Sequence, residues 1–159
     1  MKLYLKQKVF SWGDKFSVYN EAGDPVYFVE GEVFSLGKKL HVYDTAGNEV
    51  VFIQQKLLSF YPTYFINVMG KNVASVIRRP RFFKSYYEVT NFGWEVDGDF
   101  WSHDYTIFYG DKTVATIFKE WMSWGDAYAI DFKEGVRELD VLSVALIIDA
   151  NLEQDENNR

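Results

Sequence analysis

The residues of this chain best suited to chemistry are the seven from Arg78 to Lys84, RRPRFFK. Guanidinium groups grip oxyanions through charge-assisted hydrogen bonds, and rings beside them can enter an apolar interface. Arg78, Arg79, Arg81 and Lys84 are therefore the candidate site for a phosphate or an anionic lipid headgroup. Pro80 is expected to end the preceding strand and leave these cations converging at a rim. The plainer alternative is a solvated strand end whose charge balances an acidic remainder. A second stretch, WEVDGDFWSHD, offers Glu95, Asp97, Asp99 and Asp104 as oxygen ligands for calcium. An EF-hand loop begun at Glu95 needs glycine at its sixth position and glutamate at its twelfth, where this chain has Phe100 and Thr106. No metal site is assigned, and Asp97-Gly98-Asp99 reads as a hairpin turn. Ser102, His103 and Asp104 supply the residue types of a nucleophilic triad, but neighbours on a strand point to opposite faces. No catalytic residue is assigned either, and the chain is expected not to be an enzyme. The two SWGD sequences, Ser11 to Asp14 and Ser123 to Asp126, hold Trp12 and Trp124 either as stacking platforms for bases or as indoles packed at turns.

Composition narrows these choices. The 159 residues contain no cysteine and two histidines, His41 and His103, so neither a disulfide framework nor a thiolate metal site exists, and no cofactor is expected. The net charge of −6 disfavours nucleic acid as a partner, but it hides a segregation. From Val50 to Tyr87 there are six basic residues and no acidic one, giving +6 there and −12 over the rest. The N-terminal MKLYLKQKVFSWGD alternates charged and apolar residues, unlike a signal peptide, and reads as a first strand of a cytoplasmic protein, with peripheral membrane association left open.

The elements that must position these groups are strands. Val9 to Asn20, VFSWGDKFSVYN, recurs at an offset of 24 as Val33 to Asp44, VFSLGKKLHVYD, and the match continues from EAGDPVYF into TAGNEVVF. Each copy is an alternating strand, a glycine turn, a second alternating strand and an Ala-Gly-Asp or Ala-Gly-Asn turn. At this grain the chain holds about twelve antiparallel strands between residues 2 and 132, a number that invites closure into a barrel without free edges. After them Glu138 to about Ala150 departs from the pattern: Val141 to Ile148 is apolar in every direction of a helical wheel, and its eight residues are too few for a bilayer. Its β-branched residues would also suit a strand, but Glu138 and Asp140 at the start and the Leu and Ala content favour helix. Twelve strands spaced about 4.8 Å and tilted about 40° enclose a radius of roughly 12 Å, too wide for wall side chains alone. A helix about 10 to 12 Å across fills that space. The expected organisation is one domain over residues 1–152, with a core helix over about 138–150 and a polar, disordered tail at 153–159.

The alternating strands, the stretch GDFWSHDYTIF from Gly98 to Phe108 and the terminal DVLSVALIIDA resemble the LURP-one-related proteins of the tubby C-terminal-like superfamily over about residues 1–150. The resemblance implies a twelve-stranded barrel around a central C-terminal helix. Within the superfamily, tubby proteins bind phosphoinositide headgroups and the related scramblases associate with membranes. It carries no site residue across one by one, so it implies fold more than function. The functional expectation is a non-enzymatic binding or scaffold module that takes an anionic membrane surface or a phosphorylated ligand on its basic rim. The alternative is a protein-interaction or structural module with an unknown protein partner and no lipid ligand.

Overall fold

A computed structural model describes residues 1–6, 15–32 and 36–158. The first SWGD sequence with its Trp12, and Val33 to Ser35 of the second repeat copy, lie outside the described residues. The strands are β1 (Lys2–Lys6), β2 (Lys15–Tyr19), β3 (Pro25–Gly31), β4 (Lys39–Tyr43), β5 (Glu49–Gln55), β6 (Thr63–Val68), β7 (Lys71–Arg81), β8 (Lys84–Val89), β9 (Trp94–Asp99), β10 (Asp104–Tyr109), β11 (Lys112–Met122) and β12 (Gly125–Phe132). Each pairs antiparallel with its chain neighbours, and β1 pairs with β12 from Lys2 opposite Asp131 to Lys6 opposite Ala127. The wall is thereby a closed barrel, as the strand count suggested.

Alternation decides which side chains enter. On β6, Tyr64, Ile66 and Val68 are buried while Phe65 and Asn67 are only partly so, the period-two signature of a wall with one dry face. The repeat acquires a structural meaning in its polar turns. Asn20 Oδ1 accepts from the amides of Ala22 (3.0 Å) and Asp24 (2.9 Å), and Asp44 Oδ1 accepts from Ala46 (3.0 Å) and Asn48 (2.9 Å). Each side chain thus stands in for a backbone acceptor where the chain reverses.

The helix α1 (Glu138–Asn157) runs up the barrel, and every residue from Asp140 to Leu152 is buried. Its entry is held by charge. Glu138 and Asp140 lie in the first turn, where a helix favours anions. Tyr27 donates to Glu138 (2.5 Å), and Arg137 donates twice to Asp140 (2.9 and 3.0 Å). Because the meander alternates direction, the turns after β3, β5, β7, β9 and β11 share the end at which α1 finishes, the helix-exit end.

Three expectations about boundaries are corrected. The helix does not stop near Ala150, and residues 153–157 are its last turns instead of a disordered tail; Glu153 and Asp155 pair there with Lys38 and Arg78 of the wall. Pro80 does not end a strand, since β7 continues to Arg81 with Pro80 opposite Ser85. The Arg78 amide donates across to Pro62, so Pro80, two residues on, turns its nitrogen to the same side, beyond the end of β6 where no strand remains to pair. Finally, Asp97-Gly98-Asp99 belongs to β9, and the turn is Phe100 to His103. Gly98 is required by close approach: a Cβ there would lie 2.6 Å from the Tyr105 Cα.

Wall and helix each lack a core without the other. A chain ending at Arg137 should give no cooperative urea transition and should bind a dye specific for exposed apolar surface. A chain ending at Gln154 keeps every buried helical residue and loses the Asp155 pairing together with the exposed last residues of α1, so its urea midpoint should correspond to a loss of about 1 kcal/mol or less.

Candidate functional site

All four basic candidates stand at the helix-exit end, around the turn from β7 to β8, but they do not converge. Strand alternation puts Arg78 in line with the buried Ala74 and Val76, facing the barrel mouth, whereas Arg79 and Arg81 lie on the outer face. Each arginine is already paired. Arg78 Nη1 lies 2.7 Å from Asp155 Oδ2, and its Nε donates to Ser85 Oγ at 3.2 Å. Arg79 pairs with Glu88 and stands 5.7 Å from the centre of the Tyr61 ring. Arg81 bridges Glu95 (2.8 Å) and Asp97 (3.5 Å) and lies over Tyr86 at 3.9 Å. Two of the residues weighed as calcium ligands are thus anchors for an arginine. Asp99, the third, accepts from the Ser102 hydroxyl at 2.8 Å; these bonds, with Lys84 nearby, hold its carboxyl below the usual range.

The same end carries a feature that charge did not announce. Among the described residues the six most exposed large apolar side chains are all here. Four of them sit on two neighbouring tips: Leu58 (104%) and Phe60 (92%) between β5 and β6, and Phe82 (97%) and Phe83 (105%) between β7 and β8. An exposed lysine accompanies each tip, Lys56 on the first and Lys84 on the second. The signal was present in the sequence as apolar residues inside turn segments, LLSFYP and RFFK, where polar ones are usual. A cleft of about 590 Å³ opens beside Phe82 and Phe83, with Trp101 on its far wall and Tyr87 and Leu152 among its lining residues.

Beneath this end lies a buried polar cluster. Asp149 of α1, 3% exposed, accepts a hydrogen bond from Tyr128. His103 stacks on Tyr128 with ring centres 4.5 Å apart and places Nε2 3.3 Å from Asp149 Oδ1, out of line for a hydrogen bond. Burial first, and then the Asp149 charge, push the Tyr128 hydroxyl well above its ordinary pKa, so it remains a donor. Asn151 donates to Tyr87 at 3.3 Å from the same helix. His103 adopts φ 51°, which turns its ring inward from the Phe100–His103 turn. His103 therefore faces a carboxylate distant in sequence, and not Ser102 or Asp104. Trp124 packs at its turn against Tyr19, ring centres 5.1 Å apart.

A closed twelve-stranded antiparallel wall around a buried C-terminal helix defines the tubby-like class of fold. A model of the LURP-one-related family matches residues 1–149, and the chain belongs to that family. It is 34% identical over 157 residues to the uncharacterized protein YxjI of Bacillus subtilis (strain 168), covering 99% of this chain and 97% of that protein. The crystal structure of a protein from Arabidopsis thaliana superposes with a TM-score of 0.62 over 96% of this chain and 90% of the plant chain; at 15% identity the likeness is one of fold. No helix among the described residues is long and apolar enough to cross a membrane.

The cluster generates a contrast between two tyrosines. Tyr128→Phe strips the donor from a buried carboxylate and should cost about 1–3 kcal/mol in urea unfolding. Tyr105→Phe should cost less, because the Tyr105 hydroxyl is buried without a partner among the described residues. Equal losses would contradict this assignment of the cluster.

Proposed function

We propose that the protein is a non-enzymatic binding module that docks the helix-exit end of its barrel onto an anionic lipid surface. The observation that carries this reading is the pair of neighbouring tips, each presenting two apolar side chains at nearly full exposure beside an exposed lysine. Apolar side chains held in water at the ends of turns add nothing to the core; their transfer into an interface contributes about 1.5–3 kcal/mol for each one fully buried. Lysines at the same height add about 1 kcal/mol each near an anionic surface. Arg79 and Arg81 contribute less than their charge suggests, since Glu88, Glu95 and Asp97 already neutralise them. The chemistry of the site thus moves from the arginines to Leu58, Phe60, Phe82 and Phe83, with Lys56 and Lys84 supplying the attraction to phosphate.

Co-sedimentation with vesicles separates the contributions. Vesicles containing phosphatidylserine should retain the protein at low salt and release it as salt rises, and phosphatidylcholine vesicles should retain little. Leu58→Ser combined with Phe83→Ser should lower affinity by more than about tenfold, whereas Lys56→Glu with Lys84→Glu should abolish the preference for anionic lipid. Retention indifferent to both pairs of substitutions, or absent from every vesicle, would overturn the reading and leave the tips to a protein partner.

A further inference from the structure

The last turn of α1 is built against its own electrostatics. Glu153, Asp155 and Glu156 occupy the end of the helix where the macrodipole is negative, and no basic residue lies in that turn. Cations from the barrel wall compensate: Asp155 is held by Arg78 at 2.7 Å and Glu153 by Lys38 at 3.8 Å, while Lys38 also donates to the Ala150 carbonyl at 3.2 Å. The helix end is therefore fastened chiefly through ion pairs that an external anion can contest.

Arg78 opens onto a cavity. It lies at the edge of the cleft of about 590 Å³, a size suited to a small ligand, and its Nε already donates to Ser85 Oγ, also a cleft residue. The lining grades from this charged edge through Leu152 and Tyr87, both buried, to the exposed rings of Phe82 and Phe83. Phe100 meets the Tyr87 ring edge-on at 5.0 Å and closes the wall on the side of Trp101. Arg78 at one edge, Lys84 as a second cation in the lining and the rings between them match a ligand with an anionic head and an apolar chain, although the Asp99 carboxylate also stands in the lining. The Asp155 carboxylate shows which head chemistry Arg78 accepts.

We propose that this cleft takes a single-chain anionic amphiphile, an alkyl phosphate or alkyl carboxylate, whose head replaces Asp155 on Arg78 and whose chain lies along Tyr87 and Leu152 towards Phe82 and Phe83. Asp155 is then a built-in competitor, and binding releases the last turn of α1. The proposal names a ligand for the rim that the docking reading uses, yet it needs no bilayer, so the two can fail separately.

The test is calorimetric titration of the full chain with decyl phosphate below its micelle concentration, beside decyl maltoside and inorganic phosphate. Decyl phosphate should bind one to one and at least about tenfold more tightly than either control, since each control lacks one half of the recognition. Arg78→Ala should weaken binding by about tenfold or more. Asp155→Asn, which removes the competitor, should tighten it by about two- to fivefold, the worth of one partly exposed ion pair. Hydrogen exchange over residues 153–158 should quicken on binding. Equal affinity for decyl maltoside, or an Asp155→Asn variant that binds no more tightly than the parent, would overturn the proposal. If that happens while phosphatidylserine vesicles still retain the protein through its tips, only the cleft assignment falls; saturable decyl phosphate binding without vesicle retention removes only the docking reading.

Discussion

The constraint on which everything else rests is that α1 has no face it can show to water. From Asp140 to Leu152 every residue is buried, and such a helix needs surroundings that enclose it completely. A closed wall of twelve strands supplies them, and it is itself too wide to fill its interior with its own side chains. Neither component has a state in which its apolar surface is satisfied without the other. The polar groups that enter with the helix are placed accordingly: Asp149 and Asn151 face Tyr128 and Tyr87 near the exit end, so that burial of a carboxylate and an amide is met by donors and acceptors of the wall.

That arrangement also explains why the candidate groups collect at one end. The entry end is tied up with the helix N-terminus, where Tyr27 and Arg137 hold Glu138 and Asp140. The exit end has to accept a helix terminus rich in carboxylates, and the wall answers with Arg78 and Lys38. The cations that look in the sequence like an anion site are thus partly committed to the protein's own acids. What is left is largely apolar: Leu58, Phe60, Phe82 and Phe83 project from tips that the core does not use, beside the exposed Lys56 and Lys84. A surface whose arginines are internally balanced, and whose rings stand exposed beside two lysines, suits an interface that offers both phosphate and hydrocarbon.

Much of this fold was legible because its determinants are local. Period-two alternation, as on β6, and the Ala-Gly turns of the two repeat copies each need only a few consecutive residues. The run from Val141 to Ile148 declared a buried helix for the same reason. The misreadings arose where a distant partner decides. Pro80 reads as a strand end in the sequence because nothing nearby shows that β6 has already stopped on the side to which its nitrogen points. Gly98 looked like a turn residue, whereas its role is the approach of Tyr105 from the next strand. Asp149 draws no reading from the sequence, since its donor Tyr128 is twenty-one positions away. The arginines were recognised as a group, but their partners Glu88, Glu95 and Asp155 come from other strands and from the helix, so neutralisation was invisible. The rings of Phe82 and Phe83 are legible beside the arginines, whereas Leu58 and Phe60 on the neighbouring tip are not, because apolar residues are ordinary in a chain that reads as strands.

The interdependence of wall and helix is tested most directly by native-state hydrogen exchange resolved by residue. The amides of Val141 to Leu152 and those of buried wall residues such as Ile66, Ile107 and Ile130 should share one exchange free energy, equal to that of global unfolding in urea. A lower value confined to α1, showing that the helix leaves a barrel that stays closed, would contradict the account.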